Sequence, residues 1–102
     1  MLAATPYRFI LVETADDGVA VVTLNRAEKR NALSLDVMRE LIAAFDAVGA
    51  DRTIKVVILR GVGPAFSAGH DLREMLERSI DEYRTVFDVC VRLMETIQAI
   101  PQ

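Results

Sequence analysis

An α/β fold, assembled as a β-hairpin, a βαβ crossover and a long closing helix, is predicted by three features of the sequence. Two short apolar runs rich in β-branched residues flank Asp16-Asp17-Gly18. A stretch with apolar residues at three- and four-residue steps follows, and a compact run, Val56 to Leu59, stands between two helical patterns. Strand and helix patterns that alternate in this way specify a parallel sheet covered by helices.

The elements follow in order. Phe9 to Glu13 and Val19 to Leu24 read as an antiparallel hairpin, with Gly18 supplying the positive φ that its turn demands. A polar loop, Arg26 to Asn31, leads to Ser34, whose hydroxyl suits the free N–H groups at a helix start, and Asp36 suits the dipole there. In that helix Leu35, Met38, Leu41, Ile42, Phe45 and Val48 form one apolar face, and Gly49 and Asp51 are expected to end it. The uninterrupted apolar run Val56 to Leu59 predicts a strand covered on both faces, closing a βαβ unit with the right-handed crossover such units adopt.

Gly61 to Gly69 is a loop holding three glycines and Pro64, with a short helix opening near Asp71-Leu72. Ser79 and Glu82 have the spacing of a capping box, and Tyr83, Val86, Phe87, Cys90, Leu93, Met94 and Ile97 give the next helix an apolar face that Pro101 stops. A helix of this kind is expected to return to a strand, and none follows before Gln102. The 102 residues, 52% of them hydrophobic, are therefore expected to form one domain, 1–102, that is the N-terminal part of something longer and needs further chain or a partner subunit to cover its apolar surface.

Charge and composition narrow the partners. With 12 Lys and Arg against 15 Asp and Glu, the net charge of −3 gives no electrostatic footprint for nucleic acid. The apolar runs are too short to span a bilayer, so no membrane partner is expected. Cys90 is the single cysteine, which rules out an internal disulfide and suits a reducing, cytoplasmic location. Met1 to Ile10 has neither a basic start with an apolar stretch nor the arginines of a transit peptide.

Two segments carry chemistry. Leu24-Asn25-Arg26-Ala27-Glu28-Lys29-Arg30-Asn31-Ala32-Leu33-Ser34 resembles the first signature of the crotonase superfamily, the enoyl-CoA hydratase/isomerase family, in which Asn-Arg ends a strand and Asn-Ala-Leu opens a helix. Ala65-Phe66-Ser67-Ala68-Gly69-His70-Asp71-Leu72 resembles the second, Ala-Phe-Ser-Ala-Gly-x-Asp-Leu. The order and spacing of the two are those of the family. The resemblance implies a right-handed superhelix of ββα repeats, of which this chain is the first portion, in a parent that assembles as a trimer or hexamer.

It also implies an acyl-CoA substrate, with no cofactor beyond the coenzyme A that the substrate itself carries. A thioester reacting at its α- or β-carbon places negative charge on its oxygen, and preorganised N–H donors stabilise that charge. By resemblance, the backbone N–H of His70 is one of two such donors, and the other lies in a glycine-containing segment beyond the long helix. Arg30, Ala32 and Leu33 are implied to contact the CoA, the Ala68 carbonyl to receive the adenine amino group, and Asp71 and Leu72 to stand at the acyl pocket. In hydratase relatives two glutamates act as acid and base, and both fall after the position of Gln102. Arg26, Lys29 and Arg30 form a basic cluster that suits the CoA phosphates.

Simpler readings stand beside these. The His70 imidazole could act as a general base, yet no Ser or Cys partner is identifiable, and one histidine among scattered acids makes no metal site. The glycine loop lacks the Gly-Lys-Ser/Thr ending of a P-loop and the spacing of a dinucleotide site. Cys90 reads as a packing residue. Asp71, Arg73 and Glu74 read first as capping or surface groups. The expected function is an acyl-CoA enzyme of hydratase/isomerase type, inactive as these 102 residues alone; the alternative is a non-catalytic CoA-binding or oligomerisation module.

Overall fold

The structure, a computed structural model, describes residues 7–102. Most of the leader reading of Met1 to Ile10 therefore lies outside the described residues. Strands β1 (Ile10–Thr14), β2 (Val19–Leu24) and β3 (Val56–Gly61) form a three-stranded sheet in the order β1-β2-β3. β1 and β2 are antiparallel, with Ile10 opposite Leu24, and β2 and β3 are parallel, with Val22 opposite Leu59. Gly18 closes the hairpin turn at φ 85°.

Helix α1 (Leu35–Ala50) connects β2 to β3. The Ser34 hydroxyl accepts from the Val37 N–H at 3.1 Å, the N-cap that the sequence predicts. Val37, Met38, Leu41, Ile42, Ala44, Phe45 and Val48 are all buried, a face wider than a helix with one neighbour requires. That width has a direct cause: α1 is covered by the sheet on one side and by α2 (Ile80–Ala99) on the other. Ile10, Val22 and Leu24 from the sheet and Val86 and Leu93 from α2 complete this core. Glu40 also ties α1 to the start of β1, accepting from the Phe9 N–H at 2.9 Å.

Two expectations need correction. β3 is one of the two edge strands, and Val56 and Ile58 on its outer face are 51% and 46% exposed, so it is not covered on both faces. Only Val57 and Leu59 face the core, and the outer face instead carries Arg60, bonded to the Thr23 hydroxyl at 3.1 Å and 4.0 Å from Glu13. A continuous apolar run cannot reveal which neighbours are present. Gly49 does not end α1, which runs to Ala50 with Asp51 as its C-cap. Gly49 is a packing position instead, since a β-carbon there would lie 2.5 Å from a methyl of Ile100.

Helix α2 keeps its predicted apolar face, of which only part is covered. Its capping box forms as predicted, with the Ser79 hydroxyl accepting from Glu82 N–H and the Glu82 carboxylate accepting from Ser79 N–H. Val86 and Leu93 are buried and Tyr83, Cys90 and Ile97 half-buried, but Phe87 and Met94 are exposed. The apolar face is wider than the strip α1 covers. Cys90 packs against the core, as its reading as a small apolar residue expects.

Candidate functional site

The site grows from two loops that the fold brings side by side. The first, residues 25–34, contains a 3-10 turn at Ala27–Lys29 and then two successive left-handed residues, Arg30 at φ 50° and Asn31 at φ 54°. Left-handed backbone is uncommon outside glycine, and asparagine is among the residues that tolerate it best. Here it turns two consecutive carbonyls toward the second loop: Arg30 O accepts from Ala68 N–H at 2.9 Å, and Asn31 O from the Ser67 hydroxyl at 2.8 Å.

The Asn31 side chain, 2% exposed, completes the clamp. Its oxygen accepts from Arg26 N–H at 2.8 Å, and its amide donates to Val62 O and Ala65 O at 2.9 and 3.0 Å. Gly61 leaves room for this amide, because a β-carbon there would lie 2.7 Å from Nδ2 and run into the Phe66 carbonyl. The sequence displays Asn31 only as a motif letter. Its role as the bolt between the loops depends on partners more than thirty residues away, and only the tertiary structure supplies them.

Beyond Asn31 the loops pair as strands. A parallel bridge joins Leu33 to His70, with Leu33 N–H donating to Gly69 O at 2.7 Å and Asp71 N–H to Leu33 O at 3.1 Å. A trans peptide holds its C=O and N–H on opposite sides. Since Gly69 O points to Leu33, the His70 N–H points away, and among the described residues it has no acceptor. The preceding peptide is arranged similarly. Gly69 N–H donates to the Ser67 hydroxyl at 3.1 Å, and the Ala68 carbonyl, on the other side, has no donor among the described residues.

An open cleft of about 260 Å³ lies between the loops, with Lys29 and Ala32 on one side and Ala68, His70, Asp71, Leu72 and Arg73 on the other. All the predicted site residues except Arg30 and Leu33 line it, and those two hold the second loop through their backbones. Asp71 caps a 3-10 turn, Leu72–Met75, its carboxylate accepting from Arg73 N–H at 3.0 Å, and Leu72 is 76% exposed. The expected short helix is this turn.

The basic cluster is not the one the sequence suggests. Arg26 is turned away: its guanidinium lies 4.7 Å over the Phe9 ring and 3.8 Å from Glu28. The Arg30 side chain makes no ion pair among the described residues, and Arg73, read from the sequence as a capping or surface group, joins Lys29 at the cleft. A signal for Arg73 exists only in its position three residues after His70.

The His70 ring meets Phe87 edge to face at 6.1 Å, and its buried Nδ1 has no hydrogen-bond partner among the described residues. No group among the described residues orients this imidazole as a base. Nor do the described residues gather three metal-ligating side chains. A second hollow, about 190 Å³ beside Leu35 and Val86, has its charges already engaged. Glu74 accepts from Leu35 N–H at 2.7 Å, and Arg78 and Glu82 lie 3.4 Å apart. No described helix is long and apolar enough to cross a membrane.

The sequence profile of the enoyl-CoA hydratase/isomerase family matches residues 14–102. EchA13 of Mycobacterium tuberculosis is 54% identical over 67 residues, 65% of this chain and 21% of that protein. The human mitochondrial enoyl-CoA hydratase domain-containing protein 3 is 36% identical over 86 residues, 83% of this chain and 28% of that protein. Among solved structures, an enoyl-CoA hydratase from Mycobacterium smegmatis superposes with a TM-score of 0.88 at 38% identity, covering 92% of this chain and 37% of the other. Pseudomonas aeruginosa AtuE gives a TM-score of 0.87 at 38% identity over 93% of this chain and 38% of its own. The chain thus spans between about a fifth and two fifths of the length of these relatives. Its paired loops, its mixed sheet and these matches together make it a member of the enoyl-CoA hydratase/isomerase family, within the crotonase superfamily.

Proposed function

We propose that this chain supplies the CoA-docking and thioester-gripping part of an acyl-CoA enzyme of the hydratase/isomerase type. One observation carries the reading: the His70 N–H projects from a strand bridge with no acceptor among the described residues, on a peptide whose orientation the Leu33 N–H fixes at 2.7 Å. A donor held this way pays no reorganisation when charge develops on a thioester oxygen. The Ala68 carbonyl, equally without a partner among the described residues, receives the adenine amino group, and Ala32 and Leu33 border the CoA. Lys29 and Arg73 give the cleft the positive charge that suits phosphates, and Arg30 meets the CoA from beside it. Asp71 and Leu72 stand at the acyl side. The coenzyme A of the substrate is the only cofactor involved, and the intact protein works as a cytoplasmic homo-oligomer, a trimer or hexamer.

One amide, with a single carboxylate, Asp71, among the described residues lining the cleft, is too little for hydration. The 102 residues alone are therefore expected to show no measurable loss of the conjugated thioester absorbance of crotonyl-CoA, and turnover clearly above buffer would refute that. Titration calorimetry with CoA and an acyl-CoA tests the site itself. Binding of both, with the thioester the tighter, is the expected result; no binding of either by the full reading frame would end the proposal. Binding without turnover in the protein expressed from its full reading frame would favour a non-catalytic module.

A further inference from the structure

We propose that Ser67 is a positioning residue for adenine recognition: its hydroxyl, held between the Asn31 carbonyl and the Gly69 N–H, aims the Ala68 carbonyl into the cleft. The inference rests on the reading of Ala68 as the adenine acceptor, and it adds the group that makes the acceptor rigid.

The need for such a group follows from Gly69. This residue sits at φ 89°, and no atom of the described residues lies within 4 Å of where its β-carbon would be. Neither side-chain packing nor a narrow choice of backbone angles holds it, and glycine is the residue with most freedom to lose. Its two peptide planes are fixed by hydrogen bonds alone. The plane toward His70 is held by Leu33 N–H at 2.7 Å, and the plane toward Ala68 by the Ser67 hydroxyl at 3.1 Å. In a planar trans peptide the second bond also sets the direction of the Ala68 carbonyl.

Ser67 can do this because its own hydroxyl is anchored. The O–H donates to Asn31 O at 2.8 Å, leaving a lone pair to accept from Gly69 N–H. The anchor is firm, since Asn31 is itself buried and bonded on every side-chain polar atom. The left-handed turn at Asn31 thereby reaches the ligand-facing carbonyl through one serine oxygen.

The test is calorimetric, on the protein expressed from its full reading frame, with CoA and with its 1,N6-etheno derivative, which lacks the adenine amino donor. Wild type is expected to prefer CoA by about tenfold, the worth of one such bond. Ser67→Ala is expected to bring the two affinities to within about twofold by weakening CoA alone, and Ser67→Thr, which keeps the hydroxyl, to restore the preference. Ser67→Cys, near in shape but a poor hydrogen-bonding group, is expected to match Ala and serves if the alanine variant does not fold. A preference that survives in the Ala and Cys variants, or an equal loss for both ligands, would overturn the role of Ser67. Equal binding of the two ligands by wild type would instead remove the adenine reading, and this inference with it.

Discussion

Asn31 shows how one side chain can join two loops that meet nowhere else in sequence. It sits at φ 54°, buried, with one acceptor and two donor bonds through its carboxamide. Asn31→Ala would strand the Arg26 N–H and two carbonyls in a part-buried site, and is expected to cost about 2–4 kcal/mol, measurable by denaturant unfolding. Asn31→Asp keeps the oxygen that faces Arg26 but opposes carboxylate oxygen to the Val62 and Ala65 carbonyls, so its loss should be at least as large. Stability unchanged in either variant would contradict the clamp. At Gly61 the limit is space: Gly61→Ala must displace the Asn31 amide and the Phe66 carbonyl, and CoA affinity should fall with stability.

Among the elements, α2 begins on a capping box whose strength depends on pH. Its backbone and side-chain hydrogen bonds with Ser79, followed by those with Arg78, hold the Glu82 carboxyl below its ordinary range. A depressed carboxylate stabilises the folded state above its unfolded value and loses that contribution as pH falls through the folded one. The first turn of α2 should therefore exchange amide hydrogens faster as pH drops below about 4.3, after correction for intrinsic rates. Glu82→Gln should flatten that dependence. Ser79→Ala should cost about 1 kcal/mol at neutral pH, the usual worth of an N-cap.

In the whole molecule α1 is the middle layer, and both outer layers keep an open side. The radius of gyration, 14.1 Å, exceeds the roughly 13 Å of a compact domain of this length. Leu93, 1% exposed, joins α2 to the core, and Leu93→Ala is expected to cost about 2–5 kcal/mol. Val56 and Ile58 on the sheet and Phe87, Val91 and Met94 on α2 are all at least 44% exposed. The 102 residues by themselves should consequently bind a hydrophobic dye and associate with rising concentration in sedimentation. Replacing Phe87 and Val91 by serine should reduce both effects, and a monodisperse, dye-free chain would show that these faces are less adhesive than their area implies.

Local rules determined much of this protein. The turn at Gly18, the cap at Ser34, the capping box at Ser79 and the apolar periods of both helices each depend on neighbours a few residues away, and the sequence displays them directly. The two loops that build the cleft were legible through their resemblance to the family's two signatures, not through rules of this local kind. What the fold alone decided involves distant partners: Asn31 as a clamp, Arg26 stacked on Phe9 while Arg73 reaches the cleft, Gly49 as a packing position, and the uncovered faces of β3 and α2. An apolar residue records that it can be buried, but only the arrangement of the other layers determines whether anything covers it.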